Sequence, residues 1–71
     1  VKPLKALTRS AEILEAYAQS FLEGSANVVN PRLPRHRWTY RFADDRDGRK
    51  CQKDYDEMRA LAQTLRELAK L

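Results

Sequence analysis

Along the first third of the chain, hydrophobic positions recur with the period of a helix. Leu4, Leu7, Ala11, Leu14, Ala18 and Phe21 alternate spacings of three and four residues on one stripe. Ile13, Tyr17 and Leu22 widen that stripe into the broad arc of a helix facing a core. Pro3 suits the first turn, where a missing N–H leaves no helical bond unmade. Gly24 follows the apolar run, where a left-handed closing residue commonly stands. The spacing predicts a helix over residues 3–23, with Ser10 as a rival start that would leave residues 1–9 as an arm.

Residues 25–35 read as a connector, because Pro31 and Pro34 each bias the preceding residue away from helix. Val28 and Val29 suit a short strand that Pro31 would limit. The period then changes to two: Trp38, Tyr40 and Phe42 alternate with Arg37, Thr39 and Arg41, giving a strand with an aromatic face and a basic, polar one. Asp44 to Gly48 reads as a turn with Gly48 at positive φ, and Arg49 to Gln52 as the returning strand, so a hairpin is predicted over 36–52. Asp54, with Glu57 three residues on, has the spacing of a capping box. It opens a helix predicted over 55–70, whose apolar face runs through Tyr55, Met58, Leu61, Ala62, Leu65, Leu68 and Ala69. Asp56 with Arg59 and Glu67 with Lys70 are spaced for ion pairs along that helix. The expected fold is a single α+β domain, 1–71, in the order helix, loop, hairpin, helix.

Length narrows the functional classes. The chain has 71 residues, 42% of them hydrophobic. A domain of about 60 residues buries only ~60% of its unfolded surface, which leaves little room for a cofactor cavity beside the core. The expectation is a binding module rather than an enzyme, with no cofactor. A single Cys excludes an intramolecular disulfide framework and a Cys-clustered zinc site. No apolar run approaches the ~20 residues of a membrane span, and a cytoplasmic location is expected. The chain opens on Val1 rather than Met, as a processed chain or an excised fragment would.

Charge is distributed unevenly. Residues 1–24 carry three basic and three acidic side chains, and residues 54–71 three and four. Residues 25–53 carry eight basic groups (Arg32, Arg35, Arg37, Arg41, Arg46, Arg49, Lys50 and Lys53) against Asp44, Asp45 and Asp47. The net +4 of the chain therefore comes from +5 on the connector and hairpin. Six of the eight are Arg, whose rigid donor fork matches phosphate and the guanine edge. A two-stranded ribbon fits the DNA major groove. Double-stranded DNA is thus the leading partner, with Arg32, Arg35, Arg37, Thr39, Arg41, Arg49 and Lys50 as candidate contacts. Trp38 to Leu68 also resembles the sheet-and-helix part of the amino-terminal arm-type DNA-binding domain of tyrosine recombinases. The resemblance lies in the aromatic-alternating strand, the Asp-rich turn ending in Gly48-Arg49-Lys50, then Lys53, Tyr55 and a terminal helix. It implies a sheet entering the major groove with Arg37, Thr39, Arg41 and Arg49 as contacts. It covers under half the chain, and both the preceding helix and the lack of an evident first strand depart from that pattern.

Other chemistry is weakly encoded. Asp45, Asp47 and Gly48 fit the third, fifth and sixth positions of a calcium loop, but Ala43 and Asp54 stand at its first and twelfth. No metal is expected. His36 and Cys51 lack an orienting third group for nucleophilic catalysis. His36 is expected at the surface, Cys51 as a half-buried thiol on the hairpin, and Trp38 as a core anchor rather than a base-stacking platform. The alternative to DNA binding is a protein–protein module: an adaptor, an inhibitor of a regulatory target, or a small component of an assembly. Both helices carry more apolar stripe than a short hairpin covers, and Leu4, Leu7, Leu68 and Leu71 extend beyond the core's reach as candidate interface residues. A homodimer is the expected assembly.

Overall fold

A computed structural model describes residues 2–71. Two long helices flank a small antiparallel sheet: α1 (Pro3–Ser25), β1 (Asn27–Val28), a 3-10 turn (Arg35–Arg37), β2 (Tyr40–Arg41) and α2 (Arg46–Ala69). Helix α1 starts with Pro3 in its first turn and no side-chain cap, as proline at that position permits. It runs through Gly24, which does not adopt positive φ. It ends where Ala26 turns extended while its N–H still donates to the Leu22 carbonyl (2.9 Å). The next residues, with β-branched Val28, are suited to a strand.

The hairpin lies one element earlier than the alternating pattern suggests. Val28 pairs with Tyr40 and Asn27 with Arg41, so residues within the expected connector form β1, and Arg49 to Gln52 are helical. What turns residues 46–52 into helix is Asp45. Its carboxylate Oδ1 accepts the Gly48 N–H (2.7 Å), and its carbonyl accepts the Arg49 N–H (2.9 Å). That cap satisfies donors a first helical turn leaves free, and Asp47 beside it adds negative charge where the helix dipole favours it. Asp54 and Glu57 consequently lie inside α2 rather than at its start. The Asp56–Arg59 and Glu67–Lys70 pairs are not formed; Gln52 donates to Asp56 and Gln63 to Glu67 instead. The recombinase-like pattern fails at the same place, because no strand follows the Asp-rich turn.

Gly48 is required for space rather than for φ. It is buried, and a Cβ there would overlap the Ala43 carbonyl. The chain folds back onto α2 at this point.

The helices run antiparallel. Glu15 of α1 binds Arg66 of α2, while Phe42 is flanked by Phe21 (ring centroids 6.2 Å) and Tyr55 (5.9 Å). The seam between the helices is lined by buried Ala11, Ala18 and Ala62, small residues that let helices approach closely while burying little apolar area. Phe42 is the large buried hydrophobic residue of the core. Trp38 and Tyr40 are half-buried, with exposed Thr39 and Arg41 between them. Of the three rings Phe42 joins the buried core, whereas Trp38, expected as the core anchor, is only half-buried and engages Leu33 and Arg35 of its own loop; only Tyr40–Arg41 pairs as strand.

Candidate nucleic-acid interface

The segment joining the two strands is built by two successive prolines and one asparagine. Leu33 N–H donates to the Asn30 carbonyl (3.1 Å), which makes Asn30-Pro31-Arg32-Leu33 a turn with proline at its second position. Arg37 N–H then donates to the Pro34 carbonyl (2.8 Å) and Trp38 N–H to that of Arg35 (3.1 Å), closing the 3-10 turn. Asn30 ties the two limbs together. Its Nδ2 donates to the Arg37 carbonyl (3.2 Å), and its Oδ1 accepts the Thr39 N–H (2.9 Å) and hydroxyl (3.3 Å). The Val29 N–H donates to the Thr39 carbonyl (2.9 Å), and the Trp38 indole N–H to the Leu33 carbonyl (2.8 Å). Proline fixes φ, and these bonds fix most of what remains.

On this scaffold Arg32, Arg35, His36, Arg37 and Arg41 are all exposed. The Arg35 guanidinium lies 5.9 Å from the centre of the Trp38 ring, a cation–π contact that orients it without neutralising it. Among the described residues, none of these arginines pairs with a carboxylate. Residues 26–43 contain no Asp or Glu at all. Their four arginines equal the net charge of the whole chain, and the other ten basic groups cancel its ten acidic ones.

The remaining sequence candidates lie elsewhere. Arg49 and Lys50 sit in the first turns of α2, on a helix rather than a ribbon. Arg49 still meets Arg41 across an open depression of about 290 Å³, lined also by Gln52 and by Asp44, which pairs with Arg49 at 3.6 Å. Thr39 is engaged in the Asn30 clamp. His36 is exposed as expected, and Cys51 is half-buried, on α2. Among the described residues no cluster of His, Cys, Asp or Glu is arranged to hold a metal. Asn30 was not among the sequence candidates. An Asn before a Pro signals a turn, but its bonds to residues seven and nine positions away are not visible in a linear reading.

The apolar candidates divide. Antiparallel packing brings the first turns of α1 beside the last of α2, so Leu4, Leu7, Leu68 and Leu71 gather at the open end of the helix pair. Leu4, Leu68 and Leu71 are exposed there, and Leu7 is half-buried. Among the described residues, no helix is long and apolar enough to cross a membrane. Comparison with protein-family models, with curated proteins and with solved structures gives no match.

Proposed function

We propose that this protein is a non-enzymatic nucleic-acid-binding module that contacts double-stranded DNA through Arg32, Arg35, Arg37 and Arg41. Arg49 and Lys50 add phosphate contacts from the start of α2. The observation that carries this reading is the partition of charge: four exposed arginines and no carboxylate on an ordered hairpin, beside a remainder that sums to zero. Phosphates supply the bulk of the affinity in such contacts, and arginine recognises them with two parallel bonds. A loop held by Asn30 and two prolines loses little conformational freedom on binding. An accessory or regulatory role suits a module of this size.

Fluorescence anisotropy with a labelled duplex tests the reading. Arg35→Ala and Arg37→Ala should each weaken binding by about 1–3 kcal/mol or less, according to whether they meet base edges or phosphates, with helix content unchanged. Lys2→Ala, outside the hairpin, should leave affinity unaltered. Wild-type protein that fails to bind duplex at low salt contradicts the proposal.

A second reading, a protein-binding module, is favoured by the exposure of Leu4, Leu68 and Leu71 at the open end of the helix pair. Leu4→Asp and Leu71→Asp should then reduce association through that end without loss of helix. Association equal to that of the wild type contradicts it.

A further inference from the structure

The chain is extended for its length, with principal extents of 43 × 30 × 16 Å. Its radius of gyration is 14.5 Å, whereas a compact chain of this length has one of about 11 Å, and 14.5 Å belongs to a body of roughly 140 residues. Its accessible surface is 5872 Å² for 8.3 kDa, against about 4,600 Å² for a folded monomer of that mass. The difference, about 1,300 Å², exceeds the ~800 Å² per partner of a standard interface.

Part of this surface is apolar and lies on the helix pair. With 3.6 residues per turn and antiparallel helices, the Glu15–Arg66 ion pair marks one flank of the seam. Ile13 and Tyr17 of α1 and Leu61 and Leu68 of α2 fall together on the opposite flank. They are 54%, 62%, 50% and 44% exposed, respectively. Half-buried Leu14 and Leu65 lie between them and make the patch continuous. Glu57, one turn before Leu61 on α2, borders it.

We propose that this flank, centred on Ile13, Tyr17, Leu61 and Leu68, is a self-association surface through which two copies of the chain pack as a four-helix bundle. Two observations select a second copy as the occupant. The chain's excess surface, about 1,300 Å² over the whole molecule, is more than one side of a standard dimer needs. The helices are also electrically suited to their own kind: α1 has two basic and three acidic groups and α2 six and five, so the pair sums to zero. The repulsive charge is confined to the hairpin. An uncharged patch on a neutral body neither repels a like copy nor selects a charged foreign partner. A dry bundle core would also supply the large buried side chains that the alanine-lined seam lacks, as small domains require.

The inference stands apart from the DNA reading. It shares Leu68 with the protein-binding reading, but its surface is centred on the middle of the helix pair, at Ile13, Tyr17 and Leu61, rather than on the open end at Leu4 and Leu71. Sedimentation equilibrium over a concentration series should give twice 8.3 kDa for the wild type. Tyr17→Glu and Leu61→Glu should run as single copies with helical circular dichroism retained, while Ala60→Glu, on the solvent side of α2, stays dimeric. Should either glutamate variant lose helix, Ile13→Ala and Leu61→Ala, which keep helix propensity, replace it and should raise the dimer Kd at least tenfold. A wild type of 8.3 kDa at every concentration overturns the proposal. So does a dimer that dissociates with Leu4→Asp but not with the flank variants, which would leave the open-end reading standing.

Discussion

Phe42 is the residue on which the hairpin and both helices meet, since its ring packs between Phe21 of α1 and Tyr55 of α2. Truncating a buried aromatic costs about 3–5 kcal/mol, and a chain of this length has a total stability of only about 4–10 kcal/mol. Phe42→Ala should therefore remove much of the cooperative unfolding transition in a urea titration followed by circular dichroism. Gly48 is a second such residue. Gly48→Ala should destabilise by about 1–3 kcal/mol because the new methyl overpacks against the Ala43 carbonyl, and Asp45→Ala by about 0.5–2 kcal/mol through loss of the cap. A Gly48→Ala protein with unchanged urea midpoint would contradict the close approach. The inward turn of Phe42 was legible from its alternation with arginine. The role of Asp45 was not, because Asp44, Asp45, Asp47 and Asp54 all have the chemistry of a cap, and only the folded backbone, in which Asp45 Oδ1 accepts the Gly48 N–H, distinguishes the site.

At the scale of elements, the two helices were legible because their apolar periods are long, whereas the hairpin was displaced by a whole strand. Two-residue strands leave no periodic trace, and Arg49 to Gln52 has no residue that excludes helix. The partner strand, Asn27–Val28, is selected by long-range bonds through Asn30 and Val29. Asn30→Ala should accordingly disorder the loop, seen as loss of protection from hydrogen exchange at Thr39, while α1 and α2 remain protected. The helices are joined by a pair that the sequence reading also missed, Glu15 with Arg66, fifty-one positions apart and bonded at 2.8 Å from Arg66 Nε. Hydrogen bonding and charge from Arg66 hold the Glu15 carboxyl below its ordinary range, against the opposing effect of partial desolvation. The guanidinium is correspondingly raised. A carboxyl lowered in the folded state contributes stability that is complete above its unfolded value, near pH 4.3, and lost as pH falls through the folded one. Wild-type protein should lose melting temperature on acidification below about pH 4 more steeply than Glu15→Gln, which should already be the less stable at pH 7. Parallel profiles for the two would show that the pair contributes nothing.

For the molecule as a whole, the informative property is where charge and apolar surface lie relative to each other. The hairpin carries the entire net charge on arginines, and the neutral helix pair carries exposed leucine, isoleucine and tyrosine. The excess of charge in the middle of the chain was legible in the sequence, but Arg46, Arg49, Lys50 and Lys53, counted there with the hairpin, belong to α2. The apolar flank was not, because Ile13, Tyr17, Leu61 and Leu68 belong to the same broad stripes as the core, and only the rotation fixed by Glu15 and Arg66 separates the covered side from the open one. The reading of the hairpin as a DNA-contacting element is tested most directly by the salt dependence of duplex affinity. Neutralised phosphates release counterions, so the logarithm of affinity should fall linearly with the logarithm of salt, with a slope near −0.9 per phosphate contact. Wild-type protein should show a steep slope. Replacing Arg32, Arg35 and Arg37 together by alanine should flatten it by roughly 2–3, with circular dichroism unchanged. A slope near zero for the wild type, or the same slope for both proteins, would contradict the account.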